Sequence, residues 1–501
     1  MKLAVATLAL GLLTGAAAAQ DPGPAERNVS AALERIEATE PQINAIIALE
    51  PNALAQARSL DRQRRTRGQL FGEPVLIKDN IDSAGSLPTT AGSLALADNV
   101  TNRDAPLVAG LRTAGAVILG KTNLSEWANF RSEDSISGWS GVGGQTRNPH
   151  ALNRSACGSS SGSAAAVAAG MVDIAIGTET NGSITCPAAM NGVVGFKPSV
   201  GLVSRTHVVP ISVTQDTAGP IAKTVRDAAR VMNAIAGTDP ADAATAEADA
   251  RRVDYVAALE GDALKDVRLG VMRFATGFQT DEAFARALAV LEAKGAILVD
   301  IAEFGAEPLE GDQGYTVLLT EFKDGVNHYL ASTPEAVTTR SLTDLIAYNA
   351  ASERELSVFD QSIFEKAEAT SIDDPEYVAA RDAVVAWSGK DGIDRLLAEH
   401  DVVALVGPTT APAFLIDVVF GDSWHGGGAG YLAARAGYPH ITVPMGDVHG
   451  LPVGLSFMGT KWDDARILAL GHAYEQAANI KIEPAFLPSL EDGNPALRRQ
   501  P

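Results

Sequence analysis

The chain reads as an α/β protein built on a largely parallel or mixed sheet. Three observations carry that reading. Short apolar runs closed by polar or turn residues recur along the chain, as in Val75-Leu76-Ile77 and Ala116-Val117-Ile118-Leu119. Between them lie longer segments with apolar residues at helical spacing. The composition, 46% hydrophobic and 20% charged over 501 residues, is that of a globular protein with a large core.

In chain order, 24–50 reads as helices, with Val29, Leu33 and Ile36 followed by Ile43, Ile46 and Ile47 at helical spacing. A charged helix spans 53–67 and stops at Gly68. A buried strand over 75–77 ends in the polar run Lys78-Asp79-Asn80. A helix over 106–114 leads to a second buried strand at 116–119. A tight small-residue helix at 164–170 precedes a third strand at 172–177. Residues 193–196 and 208–211 are further short strand candidates. The segment 224–236 is a helix, and the alanine- and acid-rich 240–253 is exposed. Strand 267–272, helix 281–294 and strand 296–299 continue the alternation. Residues 308–400 are mostly helical and irregular. Strands over 401–406, 437–444 and 452–458 return to the sheet, and 463–478 is an amphipathic helix. With no internal repeat and no shift in composition, residues 20–501 are expected to form a single domain. Its core motifs lie in 70–220, a variable helical region in 308–400 and a final return to the sheet in 401–478.

The first 19 residues read as a signal peptide. Lys2 supplies the positive start, 3–13 is apolar, and Ala17-Ala18-Ala19 fits the small-residue cleavage rule. The apolar run is too short to span a bilayer, and Asp21-Pro22-Gly23-Pro24 breaks any continuation. An exported protein, periplasmic or secreted, with no membrane attachment after cleavage is expected. The net charge of -21 argues against nucleic acid or an anionic membrane as partner. Export would permit a disulfide between the two cysteines, Cys157 and Cys186. Two small buried thiols are the alternative, and spacing leaves both open.

Several motif matches fail on context. Gly115-Ala116-Val117-Ile118-Leu119-Gly120-Lys121-Thr122 fits a nucleotide-binding pattern, but its apolar middle belongs in a strand and not in a phosphate cradle. Gly158-Ser159-Ser160-Ser161-Gly162 fits the nucleophile elbow of α/β-hydrolases, yet loop residues precede it where a strand is required. No histidine has a context that marks it as a catalytic base. There is no H-x-x-x-H, C-x-x-C or S-x-x-K. Neither a metal nor another cofactor is expected.

Two hydroxyl-rich loops remain: Gly158 to Ser163, and Thr178 through Ser183 to Pro187. Unbroken small-residue loops let backbone N–H groups approach a ligand. Amide hydrolysis needs a nucleophile, donors for an oxyanion, and a base that returns a proton to a poor leaving group. Lys78, at the end of an apolar strand, could serve if burial lowers its pKa from about 10.4 toward neutrality. A lysine paired with Asp79 or Asp82 is the alternative reading of that segment.

Lys78 in Pro74-Val75-Leu76-Ile77-Lys78-Asp79-Asn80, the Gly158 to Ser163 run and Thr178 to Ala188 resemble the amidase signature family. Gly120-Lys121-Thr122-Asn123, Gly195-Phe196-Lys197-Pro198, Gln215-Asp216-Thr217-Ala218-Gly219-Pro220 and Leu451-Pro452-Val453-Gly454-Leu455 also fit, in order, across nearly the whole mature chain. Within that family, Ser137-Gly138-Trp139-Ser140, the segment from Gly143 to Pro149 and Ile184-Thr185-Cys186-Pro187 look most like peptide amidases.

The resemblance implies the amidase-signature fold, a central mixed β-sheet covered by helices on both faces. It implies a Ser–cis-Ser–Lys triad, with Ser183 as nucleophile, Ser159 as bridging serine and Lys78 as base. Backbone N–H groups of Thr180, Asn181, Gly182 and Ser183 would hold the oxyanion, with Ser160, Ser161 and Asp79 in support. The substrate would be a small-molecule or peptide amide, most plainly the C-terminal carboxamide of a peptide. Other amides are the alternative, and a silent amide-binding protein is the alternative of a different class. The signal peptide argues against a component of a tRNA amidotransferase. Many members carry Gly where this chain has Asn181, and Arg where it has Thr185. Asn181 could narrow or polarise the pocket, and Thr185 removes a charge close to the nucleophile.

Overall fold

The computed structural model describes residues 21–63 and 68–493, so the expected signal peptide lies outside the described residues. Eleven strands among them join in one mixed sheet: β1 (Ile46–Leu49), β2 (Pro74–Lys78), β3 (Val117–Thr122), β4 (Ile174–Glu179), β5 (Val194–Lys197), β6 (Thr217–Ala222), β7 (Arg268–Met272), β8 (Ile297–Ile301), β9 (Ala404–Pro408), β10 (His440–Val448) and β11 (Leu451–Met458). Their spatial order is β1-β3-β2-β4-β6-β5-β10-β11-β9-β7-β8. β2 runs parallel to both neighbours, β3 and β4. β6 is antiparallel to β4 and β5.

Period-2 alternation sends neighbouring side chains to opposite faces of this sheet. Val75, Ile77, Ile118, Ile174 and Ile176 pack on one face with the helices Pro106–Thr113, Val225–Ile235, Asp281–Ala293 and Asp464–Ala478. Leu76, Val117, Leu119 and Ala175 pack on the other with Pro24–Ile43, Ala53–Asp61, Ser161–Ala168 and Thr185–Asn191. Burial of each such Val, Leu or Ile contributes about 1.5–3 kcal/mol, so register is firmly held and the C-terminal end of β2 is placed to within a residue. The helix Ser161–Ala168 is made of small residues for a steric reason: a Cβ on Gly162 would meet the Ala45 carbonyl oxygen at 2.2 Å.

Four elements differ from the sequence reading. Ile46 and Ile47 lie in β1, because Asn44 turns left-handed at φ 54 and the Glu40 carboxylate takes the N–H groups of Ala45 and Ile46. The charged helix ends at Asp61 instead of continuing toward Arg67. Residues 208–211 form no strand: Val208 makes one isolated bridge to Ile81, and Pro210 has no N–H to extend a ladder. The strand of this sheet that the sequence reading passed over is β6, an interior one. It carries Gly219 and Pro220, which argue against a central strand, yet Gly219 is required because a Cβ there would meet the Phe196 carbonyl oxygen at 2.2 Å. The phosphate-cradle match fails as expected, since Gly120, Lys121 and Thr122 are buried in β3.

Cys157 and Cys186 form a disulfide with Cα atoms 6.0 Å apart, which resolves the choice left open by spacing. Closing a loop across 29 positions should contribute about 3.6 kcal/mol by the chain-entropy account. A Cys157→Ala/Cys186→Ala variant should therefore unfold at lower denaturant concentration. Two reactive thiols in native protein purified without reductant would contradict the pairing.

Candidate active site

Three chain segments meet at the carboxyl ends of β2 and β4. β2 delivers Lys78. The loop before the helix Ser161–Ala168 delivers Ser159 and Ser160. The turn between β4 and the helix Thr185–Asn191 delivers Thr180, Asn181, Gly182 and Ser183.

Lys78 is fully buried. Its Nζ lies 2.7 Å from Ser159 Oγ, 2.8 Å from Thr178 Oγ1 and 3.3 Å from the Thr178 carbonyl oxygen. Burial pushes its pKa down to about 7, partly offset by the negative charges of Asp216 and Glu179. The alternative pairing with Asp79 or Asp82 is not made. Asp79 faces Lys121 at 3.5 Å, and Asp82 faces Arg103 at 2.8 Å. Asp79 also receives the N–H and hydroxyl of Thr90, so it ties down the segment after β2 and does not touch the Lys78 amine.

The Gly158–Ser159 peptide bond is cis, and the Ser159 carbonyl accepts the Ser125 N–H at 3.1 Å. A Cβ on Gly158 would meet Ser125 Oγ at 2.2 Å and displace that hydroxyl. Ser160, expected in support of the oxyanion hole, is fully buried and does not line the cavity. It is a brace. Its N–H donates to the Ser183 carbonyl at 3.2 Å, and its hydroxyl bonds the Thr178 backbone at both N–H and C=O. Ser161 donates to the Cys157 carbonyl, inside the same loop.

Ser183 lines a cavity of about 380 Å³ together with Gly158, Thr180, Asn181, Gly182 and Thr185. Gly182 adopts φ +86, which favours glycine. Among the described residues, no acceptor takes the N–H groups of Asn181, Gly182 or Ser183. Three consecutive free donors in a left-handed turn form an anion-binding concavity.

Two carboxylates that the sequence reading did not single out hold this turn. Glu179 is buried, and its Oε2 accepts from Ile184 N at 2.8 Å, Thr185 N at 2.9 Å and Thr185 Oγ1 at 3.2 Å. Thr185 thus supplies a neutral donor to Glu179. Asp216 accepts from Thr180 Oγ1 at 2.5 Å and from the N–H groups of Ile211 and Ser212. Burial raises the Asp216 carboxyl to about 6. The signal for both was an acidic residue inside an otherwise apolar or hydroxyl-rich run.

No histidine bonds Lys78, Ser159 or Ser183 among the described residues. Buried His440 is pushed down to about 3 by desolvation and the nearby Lys197, and its Nε2 pairs with Ser456 Oγ at 2.7 Å. The same residues hold no group of three or more His, Cys, Asp or Glu side chains able to bind a metal. A second cavity of about 490 Å³ adjoins the first. Both are lined by Asn129, Phe130, Asn181, Leu318 and Trp424.

Residues 27–468 match the protein-family model described as Amidase. A probable amidase of Arabidopsis thaliana is 40% identical over 469 residues, covering 91% of this chain and 87% of that protein. A component of the glutamyl-tRNA(Gln) amidotransferase of a Geobacillus species is 34% identical, covering 91% of this chain and 95% of that protein. The native peptide amidase of Stenotrophomonas maltophilia has a similar structure, with a TM-score of 0.85 at 47% identity over 92% of this chain and 95% of that one. A peptide amidase in complex with the competitive inhibitor chymostatin gives a TM-score of 0.86 at 47% identity with the same coverage. The chain is an amide-hydrolysing enzyme and belongs to the amidase signature family.

Proposed function

We propose that the enzyme hydrolyses the C-terminal carboxamide of peptides through a Ser183–Ser159–Lys78 relay. The observation that carries the mechanism is a buried amine with pKa near 7, 2.7 Å from the Ser159 hydroxyl. Neutral Lys78 takes the proton of Ser159, which takes that of Ser183 as its oxygen attacks the carbonyl carbon. The oxyanion that forms is held by the free N–H groups of Asn181, Gly182 and Ser183, with Thr180 completing the turn. The C–N bond then breaks while the relay returns its proton to nitrogen, releasing ammonia. Water hydrolyses the acyl-serine to the free acid by the same proton path in reverse.

Two facts support a peptide substrate: the 47% identity with peptide amidases, and the second cavity, which offers room for the acyl portion beyond Ser183. The signal-like N-terminus supports export to the periplasm or medium. The exported protein should begin at Gln20, and an intact Met1 on protein retained in the cytosol would refute export.

Purified enzyme should release ammonia from peptide amides and none from the same peptides as free acids. Turnover of simple amides alone would overturn the substrate reading, and no turnover of any amide would leave a binding protein. The Ser183→Ala variant should lose on the order of 10⁴-fold or more in kcat. The wild-type kcat/KM should rise with pH through about 7, because only the unprotonated amine can accept the Ser159 proton. Retention of full activity by Ser183→Ala, or a Lys78→Ala variant with the wild-type pH profile, would sink the relay.

A further inference from the structure

We infer that Trp424 is a specificity-determining residue, an aromatic shelf for a bulky apolar side chain in the acyl portion of the substrate. The inference rests on the peptide-amide reading above and names the peptides that suit it. Trp424 lines both the cavity that holds Ser183 and the cavity that continues from it. Phe130 and Leu318 also line both, Tyr431 lines the first and Tyr315 the second. The path outward from Ser183 therefore carries aromatic and aliphatic surface beside polar and charged groups, Glu133, Asp312 and Arg435 among them, in the second cavity.

Trp424 is 56% exposed. Its one ring partner among the described residues is Phe414, edge-on at 5.0 Å. A tryptophan with this much bare surface is stabilised little by its own fold, so its placement calls for another partner. It is nevertheless held. Two residues before it, the Asp422 carboxylate accepts the Ser137 N–H at 3.1 and 3.2 Å. Shortly after it, Gly427 and Gly428 have φ +97 and +76, and pass so close to Gly277 and Thr409 that added Cβ atoms would lie 2.4 Å from Gly277 Cα and 2.1 Å from the Thr409 carbonyl oxygen. The indole is thus an exposed aromatic face on a segment held at two points. The neighbouring Val418, Val419 and Phe420 are more exposed, at 70%, 77% and 83%, but line neither cavity. Exposure alone does not single out Trp424; exposure inside the path from Ser183 does.

The test compares kcat and KM for ammonia release from three N-acetylated dipeptide amides, ending in phenylalaninamide, leucinamide and glycinamide. Trp424→Ala should lower kcat/KM about tenfold on the first two, mainly through KM, and by less than about twofold on the third. Trp424→Phe should keep most of the wild-type preference. An equal loss on all three substrates, or a Trp424→Phe variant no better than Trp424→Ala, would overturn the assignment. If wild-type enzyme releases no ammonia from any peptide amide, the peptide reading fails by itself. The same variants on phenylacetamide against acetamide then decide the shelf, with the same two outcomes.

Discussion

The contact between Lys78 Nζ and Ser159 Oγ is the interaction on which the rest of the site depends. It is useful only because the amine is dry. Desolvation takes the lysine from 10.5 to about 7, into the range where it can accept a proton from a serine and give it back. The sheet creates that dryness. β2 is flanked on both sides by parallel strands and covered on both faces by helices, so its last residue ends inside the protein and not at the surface.

Burial would achieve nothing if a carboxylate stood beside the amine. A single opposite charge at about 4 Å is worth about 4 kcal/mol at an effective dielectric constant near 20, or roughly 3 pKa units. That is close to the whole downward shift of Lys78. Asp79 and Asp82 follow within four residues, yet each is held by another cation, Lys121 and Arg103 respectively. Glu179 and Asp216 do act on Lys78, but their carboxylates are occupied by the turn that presents Ser183 and Thr180. The site keeps its negative charge for holding backbone and leaves the lysine with hydroxyl and carbonyl neighbours.

The sequence made the α/β class and most strands legible, because apolar runs of buried strands are a strong signal. Interior β6 was hidden by Gly219 and Pro220, which local propensity counts against a strand and which packing on Phe196 demands. Isoleucines at 46 and 47 continued a helical period that the left-handed Asn44 interrupts. In the site, Lys78, Ser159 and Ser183 could be named from motif order; Lys78 meets Ser159 at 2.7 Å, and the Ser159 loop meets the Ser183 turn through the Ser160 N–H. The brace role of Ser160 could not be read, since one hydroxyl in a serine run looks like another until its partners are known. Glu179 and Asp216 showed only as acids inside apolar or hydroxyl-rich runs, and no spacing in those runs says which backbone N–H groups they accept.

The relay requires that burial keep Lys78 a neutral amine near physiological pH. The most direct measurement is an NMR titration of the protein labelled at the lysine ε-carbon, with the Lys78 signal assigned by its loss in a Lys78→Met variant. A titration midpoint near 7 is expected for that signal. A Lys78 signal that stays in its charged form up to about pH 10, as for an ordinary lysine, would contradict it.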